Sequence, residues 1–372
     1  MTATLKPERD LHFETLGDYE ARVLFPEPRP VAREMRYATV FSAKKPLALE
    51  LGGSLAPVRV AYTTYGTLNE ARDNAVVVCH ALTGSAVVGG ASGWWSELIG
   101  EGQILDTNKD FVICANVLGG CYGTTGPTSP DPSSSRDYGP GFPEITVGDM
   151  VRVQAALLEV LGVRHVRVVV GGSMGGMQVL EWLHSYPNLV GAGVVIGAPA
   201  RHSAWALALY HLSRQAIQND PDFRAGRYAA QPKGLALARE IATISYRSPA
   251  SFEITQARRP SKLDPKKFAM QTYLEHQGEK LLERFDANSY LCISRALDRF
   301  NLTDAQLAEI TQPVLCVGIS SDCLYLPHEV EHIARTVQLG EYAHLESVHG
   351  HDAFLIEMDK LEPSVREFLS RV

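Results

Sequence analysis

The stretch Val166-Arg167-Val168-Val169-Val170-Gly171-Gly172-Ser173-Met174-Gly175-Gly176-Met177 decides the reading of this chain. A β-branched run without polar alternation reads as a strand buried on both faces. It breaks into glycines around one serine and passes straight into a helical pattern. Gly171, Gly175 and Gly176 supply the missing Cβ atoms that a strained strand-to-helix turn needs. Such a turn lifts the Ser173 hydroxyl out of the sheet, and the following helix offers the N–H of Met174 without an intrahelical partner. The motif alone also fits a plain βα connection in which Ser173 caps the helix. A serine becomes a nucleophile only beside a base, so that reading requires a histidine and an orienting acid elsewhere.

The rest of the chain bounds the search. Its 372 residues, 45% hydrophobic and 21% charged, describe a globular protein with a large core, in one domain or two. A formal charge of −7 argues against nucleic acid or an anionic membrane as the main partner. The first 25 residues lack a secretory h-region and no run reaches membrane-spanning length, so the expected location is the cytoplasm. Six cysteines at 79, 114, 121, 292, 316 and 323 form neither a disulfide framework nor a zinc pattern, and the expectation is reduced core residues, no metal and no resident cofactor.

Strand-like runs recur at Val58–Tyr62, Ala75–His80, Phe111–Asn116, Gly191–Ile196, Val314–Ile319 and Tyr342–Leu345. Helical spacing fills the gaps at Ile145–Leu161 and Met177–His184. The alternation predicts an α/β fold, a mostly parallel sheet flanked by helices. Between Ala200 and Ile310 the strand signal vanishes and helical patches appear at Trp205–Ile217, Leu235–Ile244 and Ser289–Leu297. We read residues 1–57 as an arm or edge segment, 58–199 with 311–372 as the core, and 200–310 as an inserted helical cap.

Two later strand ends provide the partners for Ser173. The run Pro313–Ile319 leads to Asp322, and Tyr342–Leu345 leads into a loop with His349 and His351. Sites in open α/β sheets form at the carboxyl ends of strands, and the order Ser, Asp, His is that of the α/β-hydrolases. Asp322 would fix the imidazole tautomer and the histidine would take the Ser173 proton; spacing leaves His349 and His351 both open. A second N–H donor for a developing oxyanion, opposite Met174, is expected at Leu82, in the loop His80-Ala81-Leu82-Thr83-Gly84 after another strand.

With these pieces assembled, the chain resembles the homoserine O-acetyltransferase family of α/β-hydrolase-fold enzymes, from about Val58 to the C-terminus. The resemblance rests on HALTG (80–84), GWW (93–95), NVLGGCYGTTGP (116–127), GGSMGGMQ (171–178), GLALAR (234–239), ISYRS (244–248), SDCLY (321–325) and GHDAFL (350–355). It implies that His351 is the base, and that Ser173 takes an acetyl group from acetyl-CoA and passes it to the side-chain hydroxyl of L-homoserine in methionine biosynthesis. It further implies Arg239 and Tyr246 as contacts for the amino acid, Asp352 as the partner of its ammonium, and a homodimer. Leu324 stands where succinyl-CoA users tend to carry arginine, and leucine offers no partner to a buried acyl carboxylate. The alternatives are an L-serine O-acetyltransferase, a homoserine O-succinyltransferase, a serine esterase, or a silent hydrolase scaffold used for binding. Basic residues of the cap, such as Arg201, Arg214 and Arg247, are candidates for a CoA nucleotide on the same footing as any exposed arginine.

Overall fold

The computed structural model describes residues 35–372. Eight strands make one sheet: β1 Arg36–Phe41, β2 Val58–Tyr65, β3 Ala75–Cys79, β4 Phe111–Ala115, β5 Val166–Gly172, β6 Gly193–Ile196, β7 Pro313–Ile319 and β8 Leu339–Leu345. Their spatial order is β1-β2-β4-β3-β5-β6-β7-β8. Pairing is antiparallel at β1–β2 and β2–β4 and parallel from β4 to β8. The sheet therefore begins before Val58, with β1 as its edge strand. The part of the arm before residue 35 lies outside the described residues.

Eleven α-helices accompany the sheet among the described residues: α1 Val147–Leu161, α2 Met174–Ser185, α3 Ala204–Gln218, α4 Lys233–Tyr246, α5 Pro249–Thr255, α6 Ala269–Arg284, α7 Ala287–Arg299, α8 Asp304–Ala308, α9 Pro327–Thr336, α10 Ala353–Ile356 and α11 Met358–Leu369. Helices α3 to α8 all fall between β6 and β7. None of the described helices is long and apolar enough to cross a membrane.

The valine runs have a simple cause. In β3, Val77 and Cys79 join the core on one side of the sheet while Val76 and Val78 join the core on the other. In β5 the same split separates Val169 from Val168 and Val170. Both faces are covered, so polar alternation has no place there. Arg167 is the exception, and its guanidinium reaches Asp110 at 3.1 and 3.2 Å.

Helix α1 starts two residues later than its apolar spacing suggests. Thr146 accepts the N–H of Asp149 while the Asp149 carboxylate accepts the N–H of Thr146, a reciprocal cap that fixes the first turn. Gly162, at φ 76°, ends it. The segment between β6 and β7 carries three α-helices that the sequence reading does not mark, α5, α6 and α8. In α6 only Gln277, Gly278 and Leu281 are buried, so no apolar stripe marks it.

Candidate active site

Ser173 stands at the end of β5 with φ 59° and ψ −126°, a conformation that L-residues avoid. Its side chain makes no capping hydrogen bond to α2, which removes the reading of Ser173 as a simple N-cap. The flanking glycines are required by contact. A Cβ on Gly175 would lie 2.1 Å from the Cys79 carbonyl oxygen, and one on Gly171 would lie 2.8 Å from the same atom. The elbow is thereby pressed against the end of β3, where the His80–Gly84 loop begins. A Cβ on Gly172 would meet the Phe354 ring at 2.5 Å, so the other side of the elbow abuts the start of α10.

Asp322 follows β7 and His351 follows β8, which places them beyond the carboxyl ends of neighbouring parallel strands, at the same edge of the sheet as Ser173 at the end of β5. His351 Nδ1 lies 2.7 Å from Asp322 Oδ2. The other carboxylate oxygen accepts the N–H groups of Leu324 (2.8 Å) and Tyr325 (3.0 Å), which orients the acid. Gly197, at φ 49° after β6, leaves room for the pair: a Cβ there would sit 3.4 Å from Asp322 Oδ2 and 3.6 Å from His351 Nδ1. His351 Nε2 is buried and has no hydrogen-bond partner among the described residues. Burial pushes the imidazole pKa down, but the charge and hydrogen bond of Asp322 and the charge of Asp352 outweigh it and leave the value raised. His349 is engaged elsewhere, with Nδ1 3.3 Å from Ser251 Oγ and 3.4 Å from Arg247 Nη2.

The two expected oxyanion donors are both buried, Leu82 at 3% exposure and Met174 at 0%. Neither N–H donates to an acceptor among the described residues. The loop carrying Leu82 is braced from the helical segment by Arg284 at the end of α6, whose Nη1 donates to the Thr83 carbonyl oxygen (2.6 Å) and to Tyr122 Oη (2.8 Å).

The amino-acid contacts expected from the resemblance converge here. Arg239 and Tyr246 come from α4 and are buried, so they do not form a solvated helix face. The Arg239 guanidinium carbon lies 5.3 Å from the centroid of the Tyr246 ring, and that ring lies 5.7 Å from the imidazole of His351. Asp352 is buried beside His351. Leu324 is 1% exposed, two residues past Asp322. Of the three basic residues considered for a nucleotide, Arg214 is paired with Asp298 and Arg247 is buried against Ser251 and His349; Arg201 alone is exposed. All six cysteines are free thiols, and burial together with Asp322 raises the Cys323 pKa, which leaves that thiol unactivated.

Sequence reading missed several buried polar side chains around this centre. Tyr325 touches the site edge-on, its ring 5.2 Å from His351, and its hydroxyl lies 2.9 Å from His202 Nε2. His202 in turn reaches Asp298 at 3.0 Å. Gln154 interrupts the apolar face of α1, and that interruption was the available signal.

A sheet in this order, with a strained serine after β5 and an aspartate–histidine pair after β7 and β8, defines a protein of the α/β-hydrolase fold. The profile of that fold family matches residues 74–357. Homoserine O-acetyltransferases of Chloroherpeton thalassium and Thermus thermophilus are 46% and 44% identical to the chain. The first match covers 90% of this chain and 91% of the relative, the second 97% and 99%. Among solved structures, the homoserine O-acetyltransferase of Bacillus anthracis superposes with a TM-score of 0.84 at 27% identity, covering 91% of this chain and 98% of that one. Esterase E22 superposes at 0.82 with 26% identity, covering 90% and 99%. The chain belongs to the homoserine O-acetyltransferase family.

Proposed function

We propose that the protein moves the acetyl group of acetyl-CoA to the side-chain hydroxyl of L-homoserine through an acetyl-Ser173 intermediate. The observation that carries this reading is the buried Asp322–His351 pair at 2.7 Å, with His351 Nε2 left without a partner among the described residues, at the same strand-end edge of the sheet as the strained Ser173 elbow. His351 takes the Ser173 proton as the hydroxyl attacks the thioester, and the tetrahedral oxyanion forms against the N–H groups of Leu82 and Met174. Collapse expels CoA, which receives the proton from His351. His351 then takes the proton of the homoserine hydroxyl as its oxygen attacks acetyl-Ser173, and collapse breaks the Ser173 ester, returns that proton from His351 to Ser173 Oγ and releases O-acetyl-L-homoserine.

Transfer in place of hydrolysis demands that the amino acid be held in attack geometry before water arrives. Arg239 suits its carboxylate, Tyr246 lies between Arg239 and His351, and Asp352 suits its ammonium. Leu324 supplies no positive partner for a succinyl carboxylate, which favours the acetyl donor. In this reading residues 200–310 form a cap over a core of 58–199 and 311–372, and the enzyme acts as a cytoplasmic homodimer in methionine biosynthesis without a resident cofactor.

The test crosses homoserine and serine with acetyl-CoA and succinyl-CoA and follows CoA release. We expect release with acetyl-CoA that depends on added homoserine, with O-acetylhomoserine as product. Release at the same rate in buffer alone assigns an esterase and overturns the reading. A fluorophosphonate that leaves Ser173 unlabelled in active protein removes the nucleophile.

A further inference from the structure

Behind the two oxyanion donors runs a chain of buried side-chain amides. The Trp182 Nε1–H donates to Gln154 Oε1 (2.9 Å), Gln154 Nε2 donates to Gln178 Oε1 (2.7 Å), and Gln178 Nε2 donates to the carbonyl oxygens of His80 (3.2 Å) and Met174 (3.3 Å). Gln178 is fully buried and Gln154 is 4% exposed. Both ends of the chain set the same polarity. An indole N–H can only donate, so Gln154 must present its oxygen to Trp182. Two backbone carbonyls can only accept, so Gln178 must present its NH₂ to them. Neither amide can flip without breaking the rest.

The two carbonyls that Gln178 joins belong to the two segments that carry the donors. One is the peptide before Ala81, in the loop that leads to Leu82; the other is Met174, at the first turn of α2. We propose that Gln178, oriented by Gln154, is a positioning residue that fixes the spacing between the Leu82 and Met174 N–H groups. This rests on the reading of those two groups as the oxyanion hole.

His80 completes the arrangement from the loop side. Its Nε2 accepts the Val117 N–H (3.2 Å), so Nδ1 carries the proton and donates to the Ala81 carbonyl oxygen (2.8 Å), which also accepts the Gly84 N–H (2.9 Å). Burial holds the His80 pKa down at about 4, so this tautomer persists through the neutral range. The Ala81 carbonyl and the Leu82 N–H are the two ends of one planar trans peptide and point in opposite directions. Pinning the oxygen aims the N–H. Gln178 sets how far that aimed donor stands from its counterpart on Met174.

The experiment compares wild type with Gln178→Met, Gln178→Glu, Gln154→Met and the double variant Gln154→Met/Gln178→Met. Active sites are counted by fluorophosphonate labelling, then kcat per labelled serine, KM for both substrates and Tm are measured. We expect kcat per labelled serine to fall about 10- to 100-fold in the Gln178 variants, part of the ~10²–10³-fold effect of deleting a donor outright. KM should stay within threefold. The double variant should be no slower than Gln178→Met, since the two amides act as one unit. A kcat per labelled serine within twofold of wild type, whatever the Tm, overturns the proposal, as does a loss confined to KM. If Gln178→Met does not fold, the near-isosteric Gln178→Glu decides. A wild type that releases no CoA with homoserine removes the underlying reading and this one together, whereas an active wild type with indifferent Gln178 variants removes this one alone.

Discussion

Replacing Gly175 by alanine tests whether the elbow is held by backbone contact. On helix propensity alone the change at the second residue of α2 stabilises by up to ~1 kcal/mol. The contact reverses that. The new Cβ would sit 2.1 Å from the Cys79 carbonyl oxygen and 2.9 Å from its carbon, about 1 Å inside the 3.0 Å below which real Cβ contacts essentially never fall. No flexible side chain is there to move. Either α2 retreats with Ser173 and Met174, or the end of β3 retreats with the loop that carries Leu82. Both routes change the distance between the two N–H donors by about 1 Å, against a working window of only ~0.4 Å. A displacement of that size costs ~10²-fold in rate, and the overpacking costs about 1–3 kcal/mol in stability. The assay is kcat for homoserine-dependent CoA release together with the fluorophosphonate labelling rate, both expected to drop ~10²-fold, with Tm lowered. Gly141→Ala is the control, because a Cβ there meets nothing within 4 Å. A folded Gly175→Ala enzyme with kcat within twofold of wild type refutes the reasoning.

Four further predictions follow the geometry outward. In Asp322→Asn the amide oxygen still accepts the Leu324 and Tyr325 N–H groups but its NH₂ faces His351 Nδ1 and imposes the wrong tautomer; kcat should fall ~10⁴-fold with Tm nearly unchanged. The raised pKa of His351 sets an acidic limb on kcat/KM for acetyl-CoA above the ordinary histidine value, since only the neutral imidazole accepts the Ser173 proton. Asp352→Asn removes a negative charge that favours the cation, so this limb should move to lower pH; a shift upward contradicts the assignment. Leu324→Arg places a guanidinium at a buried position beside Asp322 and should lower the acetyl-CoA to succinyl-CoA ratio of kcat/KM at least ~10-fold, an unchanged ratio counting against the role of Leu324.

What sequence revealed, and what it concealed, follows from how locally each feature is encoded. The strands β3, β5 and β7 declare themselves because both faces are buried, and the serine elbow declares itself because Gly171 and Gly175 have neighbours that exclude a Cβ. Strand β8 was found only from Tyr342, because as an edge strand it is mostly half-exposed and carries Glu341 and His344. Helix α6 gave no sign because so little of it is buried. Spacing could not choose between His349 and His351; the choice came from the resemblance, and in the structure the 2.7 Å contact to Asp322 belongs to His351. The amide chain of Gln154 and Gln178 was illegible in a different way. Its members lie 24 residues apart, and a buried glutamine reveals its partner only in three dimensions.

The histidine loop is seated on the helical segment itself. A Cβ on Gly350 would lie 2.7 Å from the Ser248 nitrogen and 2.9 Å from the Tyr246 carbonyl oxygen, and the Ser248 hydroxyl donates to the Val348 carbonyl. An inserted segment is usually an exchangeable module, free to be replaced by another of similar span. Here the turn between α4 and α5 is also the bearing for the loop that presents His351. A segment transplanted in its place must bring its own seat for that loop, and substitutions at 246–248 and 348–350 are expected to be coupled.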